Sequence, residues 1–174
     1  MLELKIKHAD LGAIIHVLDD ERRLRAVDDS GMMRACNLSA IDELSARAGK
    51  IFAAPVAQVT TIHMEEQVFN SSIGFNAKKA LSRHSFCAFT IASTEDITYT
   101  LDASKDPRFS WSPWVCEEPH IRFYAGCPIY FKGYKIGTIC VYDFEPRQEV
   151  TSAQIEALVS CGNDATEMVF EKQQ

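Results

Sequence analysis

No run of apolar residues in this 174-residue chain approaches the roughly 20 that a membrane-spanning helix needs. The opening MLELKIKHAD likewise places acidic residues where a secretion signal carries a basic stretch and then an apolar one. Both absences predict a cytoplasmic protein without a membrane partner. Positive charge is scarce: 18 Lys and Arg stand against 24 Asp and Glu, a net charge of -6 with no basic cluster, which argues against a broad electrostatic grip on nucleic acid. The six cysteines, at 36, 87, 116, 127, 140 and 161, include no CxxC pair, so free thiols in a reducing compartment are expected. Repeats, low-complexity tracts and interdomain linkers are missing too, and the length then suits one domain with one sizeable core.

What is present is regular patterning. Leu2, Leu4 and Ile6 alternate with Glu3, Lys5 and Lys7 as along one side of a strand, while GAIIHVL after them fits strand or helix. Asp19 or Asp20 can cap a short helix carrying Leu24 and Val27 and closed by Gly31. Ser39 can cap a second, with Ile41, Leu44, Ala48 and Ile51 at helical spacing. From Ala53 the period changes. AAPVAQVTTIH reads as a β-branched strand with Pro55 near its start, EEQVFNSSIGFN as a hairpin or second strand, and ITYTLDA as a short strand before the turn-prone SKDP. HSFCAFTIA is an apolar island among them.

FYAGCPIYF and KIGTICVYD flank Gly133 as a hairpin, with Cys127, Ile129 and Phe131 alternating on one strand and Ile136, Thr138, Cys140 and Tyr142 on the other. Pro128 calls for a bulge or an edge position. Thr151 and Gln154 have capping-box spacing for a last helix, whose Ile155, Leu158, Val159, Ala165 and Val169 form an apolar stripe. This order predicts an α+β chain: one antiparallel sheet with helices on one face and loops over the other.

Function is best sought between Asp102 and Arg122. Asp102 and Asp106 flank the turn at Ser104, and Arg108 follows Pro107; the set either caps and ties its own loop or forms the polar wall of a ligand pocket. His120 and Arg122 point the same way if the chain is extended, towards an anionic ligand or into structural hydrogen bonds. Trp111 and Trp114 can cover a cavity or stack on a planar ligand, and with Phe109, Phe123 and Tyr124 can equally make an aromatic minicore. Cys87 with His84 and Cys116 with His120 are a permissible metal-ligand inventory without compact zinc spacing, and no metal is assigned. Gly126, Gly133 and Gly137 fit tight strand packing and the hairpin turn, and no phosphate-cradling loop is visible.

In order along the chain, RLRAVDDSGMM, AIDELSARAGKIFAAPVAQVTTI, RHSFCAFTI, LDASKDPRFSWSPWV, EPHIRFYAGCPI, GYKIGTICVYDFEPR and the terminal ALV helix resemble the GAF domains, particularly those of bacterial sensory proteins beside histidine kinase or cyclic-diguanylate modules. The resemblance covers Leu18 to Val169 and sets residues 1–17 apart as an N-terminal extension of a domain over 18–174. It implies an α/β/α-like fold: a central antiparallel sheet with the first and last helices packed together on one face and a loop-covered ligand pocket on the other. Cys87, Asp102, Asp106, Arg108, Trp111, Trp114, His120 and Arg122 would contribute to that pocket. Family members bind cyclic nucleotides, tetrapyrroles, haem, small metabolites or nothing detectable, so neither ligand nor cofactor is assigned. A signal is expected to pass through a homodimer or a separate signalling protein rather than through an output module on the same chain.

The resemblance also carries a redox alternative. One GAF branch reduces free methionine sulfoxide with cysteines around its pocket, and Cys87 lies in a segment similar to one of these. Where that branch has a Cys shortly after its His-Ile pair, this chain has Arg122 and Phe123, leaving Cys116 to substitute. Such chemistry needs an accessible thiolate and a second thiol within reach. Bilin-binding relatives carry a Cys beside the pocket His, whereas EEP separates Cys116 from His120. The leading expectation is a ligand-sensing regulatory domain rather than an enzyme; a thiol-dependent free methionine sulfoxide reductase and a ligand-free dimerisation domain are the alternatives.

Overall fold

β-branched and aromatic segments build the middle of the molecule. The structure, a computed structural model, describes residues 8–34 and 39–171; the alternation at Leu2 to Lys7, and Cys36, lie outside them. Strands β1 (Val56–Ile62), β2 (Glu66–Ile73), β3 (Lys79–Leu81), β4 (Thr98–Thr100), β5 (Phe123–Phe131) and β6 (Tyr134–Asp143) form one antiparallel sheet in the order β3-β2-β1-β6-β5-β4. Every residue of β1 is buried, as in a strand covered on both faces.

Local chemistry fixes the hairpin. Lys132 and Gly133, with φ of +50° and +82°, make the two-residue turn whose twist matches the strands it joins. Glycine at 137 is required by its neighbour, since a Cβ there would stand 1.9 Å from the Thr60 carbonyl oxygen. Pro128 lies past the end of β4, which pairs only with Tyr124 to Gly126, so it occupies the open edge that its missing N–H favours. The expected single alternation of Ile136 with Thr138, Cys140 and Tyr142 does not hold. Register shifts between Ile129 and Tyr130, and this bulge turns Ile136 to the side of Ile139 and Val141.

That side is covered by helices α2 (Glu21–Ser30), α3 (Ser39–Phe52) and α6 (Ser152–Glu171). Asp20 caps α2 by accepting from the Arg22 and Arg23 amides, and Gly31 ends it at φ +66°. The capping box before α6 forms in both directions, Thr151 N–H to Gln154 Oε1 at 3.0 Å and Gln154 N–H to Thr151 Oγ1 at 3.2 Å. α3 lies against α6, where Arg47 pairs with Asp164 and its Nε donates to Cys161 Sγ at 3.1 Å.

The opposite face carries more than loops. GAIIHVL is helical, within α1 (His8–Leu18), and its Ile14 and Leu18 pack with α4 (Phe86–Ala92). The apolar island becomes helix α4 because Ser85 Oγ accepts the Ala88 N–H at 3.0 Å. A single turn, α5 (Pro113–Cys116), follows the long loop after β4. Buried Arg23 ties this layer to the sheet, donating to Val17 O, Leu18 O and, at 2.7 Å, Ile62 O.

Beyond β6, Arg147 makes a knot. Its guanidinium donates to Asp143, to Phe52 O at 2.7 Å and to Ala53 O, and lies 5.0 Å over the Phe123 ring. No helix among the described residues is long and apolar enough to cross a membrane.

Candidate ligand cleft

Large rings fill the interior between α4 and the sheet. Phe86 stacks on Phe109 at 4.6 Å and tilts over Tyr124 at 5.1 Å, while Tyr124 lies 5.4 Å from Tyr142. Phe109 and Tyr124 thus belong to one aromatic core. Phe123 does not join them: adjacent strand residues face opposite ways, and it packs on the helix side, 5.9 Å from Phe52.

Space remains towards β2. A small cleft, with a cavity volume of about 30 Å3, opens between the sheet and the start of α4. Val56 and Gln58 of β1, Gln67 and Phe69 of β2 and Tyr142 of β6 contribute its sheet wall. Phe75, Ser85, Trp114 and Ile121 belong to the covering segments, with Phe144 37% exposed. No lining side chain carries a formal charge at neutral pH, and burial holds the one ionisable group, the Tyr142 hydroxyl, well above its usual range.

The two glutamines differ. Gln58 Nε2 donates to Ser72 Oγ at 3.0 Å, and Ser72 donates onward to Phe75 O at 2.7 Å, so this chain of bonds holds the Phe75 loop. Gln67 is 1% exposed and its Oε1 has no hydrogen-bond partner. Neither residue was singled out from the sequence. The available signal was Gln58 inside a strand otherwise read as apolar and β-branched, since a buried amide must find partners.

Behind Tyr142 lies a thiol pair. Cys87 Sγ is 3.8 Å from Cys140 Sγ and 3.6 Å from the Tyr142 hydroxyl, and Thr90 meets the Tyr124 hydroxyl at 2.6 Å. Burial disfavours both thiolates and pushes Cys140 well up. At Cys87 the surrounding donors, Cys140 first and then Thr138, Tyr142 and Tyr124, work against burial and draw the thiol down.

The segment from Asp102 to Arg122 is mostly tied to itself. Asp102 accepts from the Ser104 amide and hydroxyl and pairs with Lys105; the Ser104 hydroxyl, ahead of Lys105, holds its carboxyl below the ordinary value. Asp106 takes a two-pronged bond from Arg108, at 3.0 and 2.6 Å, which outweighs burial and keeps that carboxyl low as well. Arg108 also donates to Tyr99 O, and Trp111 Nε1 to Arg108 O.

His120 and Arg122 do converge, but on a backbone acceptor: Val115 O lies 3.4 Å from His120 Nδ1 and accepts from Arg122 Nη1 at 3.0 Å. Cys116 is exposed, its Sγ 3.1 Å from Ser110 O, while the sulfur contacts of Cys87 are with Cys140 and Tyr142. Of the eight residues singled out, Trp114 alone is on the cleft wall, edge-to-face with Phe75 at 5.8 Å. Among the described residues no group of three or more His, Cys, Asp or Glu side chains could hold a metal ion.

The six-stranded antiparallel sheet thus carries helices on both faces and a cleft beside the start of α4. The chain belongs to the GAF domain family, which it matches over residues 16–166. It is 34% identical over 141 residues to a cyclic di-GMP phosphodiesterase of Pseudomonas aeruginosa, a match that covers 80% of this chain and 24% of that protein. The chain therefore spans about a quarter of that relative. In fold it is similar to the GAF domain of a phosphoenolpyruvate-protein phosphotransferase from Coxiella burnetii, with a TM-score of 0.63 and 16% identity over 86% of this chain and 92% of that one. It is also similar to the type II free methionine-R-sulfoxide reductase of Thermoplasma acidophilum, with a TM-score of 0.59 and 13% identity over 76% of this chain and 94% of that one.

Proposed function

We propose that this chain is a sensory or regulatory domain that binds a small molecule in the cleft between β1, β2 and α4 and acts through a homodimer or a separate signalling protein in the cytoplasm. The observation that carries this reading is the cleft itself, a concave, aromatic-walled space with a few buried polar groups, the usual form of a small-molecule site. Family membership and the similarity to a cyclic di-GMP phosphodiesterase support a place in signalling. In this reading Trp114 meets the ligand. Asp102, Asp106, Arg108 and Trp111 fasten the covering loop, His120 and Arg122 hold its end at Val115 O, and Cys87 backs the wall through Tyr142.

The sequence contains two tryptophans, so Trp111→Phe leaves Trp114 as the sole indole reporter. A metabolite screen read by its fluorescence and by thermal shift is expected to return at least one ligand that changes both. A stable variant that responds to nothing across a broad library, while retaining the cleft in a crystal structure, counts against the reading.

A thiol-dependent methionine sulfoxide reductase is the second reading, and the exposed Cys116 favours it. It requires Cys87 to leave Cys140 and Tyr142 and reach Cys116. Free methionine sulfoxide turnover that disappears in both Cys87→Ser and Cys116→Ser supports it; turnover that survives in both excludes this pair.

A further inference from the structure

Taking the cleft as the ligand site, we infer that it receives a flat, neutral heteroaromatic molecule whose ring or amide N–H donates to Gln67 Oε1. This deepens the proposed function and rests on it.

Charge selection comes first. A charged ligand would give up its water to a wall with no formal charge to meet it, whereas a neutral one would not bear that cost. Shape selection follows from the rings. Phe75 stands edge-on to both Phe69, at 6.4 Å, and Trp114, at 5.8 Å, and such walls offer edges and faces to an inserted aromatic plane. The enclosed volume is only about 30 Å3, so a ring enters by displacing a side chain, and Phe144, at 37% exposure, is the lining residue placed to move.

Polarity is set by one atom. Gln58 is engaged in holding the Phe75 loop, and Ser85 Oγ in capping α4. Gln67 Oε1 is an acceptor buried without a donor, a state that native interiors seldom tolerate without a reason. A ligand N–H is the group that completes it. A lactam, with N–H beside C=O, matches an amide edge in both directions.

Protein-detected NMR titration of the full chain with 2-quinolone, N-methyl-2-quinolone and quinoline-2-carboxylate tests the three elements. 2-Quinolone is expected to shift amides around Gln58, Gln67 and Trp114. The N-methyl analogue, which has no donor, should bind at least 5-fold more weakly, a difference of about 1 kcal/mol, and the carboxylate more weakly than 2-quinolone.

Gln67→Met keeps the length but removes the unpartnered acceptor, so its melting temperature should equal or exceed that of the parent while the preference for N–H over N–CH3 falls towards one. The parent series stands by itself if that variant fails to fold. Equal binding of the N–H and N–CH3 probes overturns the hydrogen-bond assignment, and tightest binding by the carboxylate overturns neutrality; both leave the cleft reading in place. If no probe shifts the cleft but the Trp114 screen finds another ligand, this inference alone falls. Silence in both experiments removes the cleft reading as well.

Discussion

The two faces of the sheet are built from different materials. Between the sheet and α2, α3 and α6 lie mainly aliphatic side chains such as Val27, Leu44, Ile139 and Leu158, around the rings of Phe52, Phe123 and Phe131. Between the sheet and α4 lie Phe86, Phe109, Tyr124, Tyr142 and two facing thiols, with glutamines at the border. Aliphatic chains interdigitate to near crystal density. Rings are stiff and leave gaps at their edges, and buried amides and hydroxyls need partners in set directions. One face is suited to holding the fold together. The other keeps the openings and unfinished polar contacts from which recognition can be made.

Three experiments press on this contrast. The largest effect is expected from Leu158→Ala, which leaves a cavity in the aliphatic layer and should cost about 2–5 kcal/mol in urea unfolding. Probe binding at the cleft should be unchanged at temperatures where the variant is folded. A shift in ligand affinity larger than the error of the titration would break the separation of the faces.

Asp106→Asn should cost about 1 kcal/mol at neutral pH, since it weakens a charged pair whose Arg108 side chain is partly exposed. The folded carboxyl titrates below its unfolded value, so its contribution is full above the ordinary carboxylate range near pH 4 and is lost as pH falls through the depressed value. Parent and variant stability curves should therefore converge in acid. Curves that stay parallel down to pH 2 would assign the loss to something other than this charge.

The smallest effect concerns rates. In a Cys36→Ser background, Cys116 should react with a thiol reagent at once, being exposed, while the four buried thiols wait for opening. Cys87 and Cys140, behind the cleft, should follow before Cys127 and Cys161 under the helices. Simultaneous labelling of all four would mean that the two layers open as one.

Much of the scaffold could be read from neighbouring residues. The Asp20 cap, the Gly31 stop, the Thr151 and Gln154 box and the Gly133 turn depend on atoms a few positions apart, and all form where expected. The short-range ties of Asp102 and Asp106 were legible for the same reason. GAIIHVL was not, because its apolar run suits either helix or strand until α4 offers it a surface. The bulge at Ile129, which decides where Ile136 points, arises from pairing across two strands. The cleft is harder still. Gln58 and Gln67 come to line one cleft only when β1 and β2 pair, and Tyr142 joins the wall through β6. Attention to rare residue types favoured the loop with its tryptophans, histidine and cysteine, which proved largely occupied with its own backbone.

Arg147 links these matters to output. Phe144 at the mouth of the cleft lies between Asp143 and Arg147, and Arg147 is bound at once to Asp143 and to the last carbonyls of α3. The entrance of the cleft and the C-terminal end of α3 are therefore joined by one short, braced length of chain. Phe144 on one side of that brace and the end of α3 on the other are thus two ends of a single hydrogen-bonded connection.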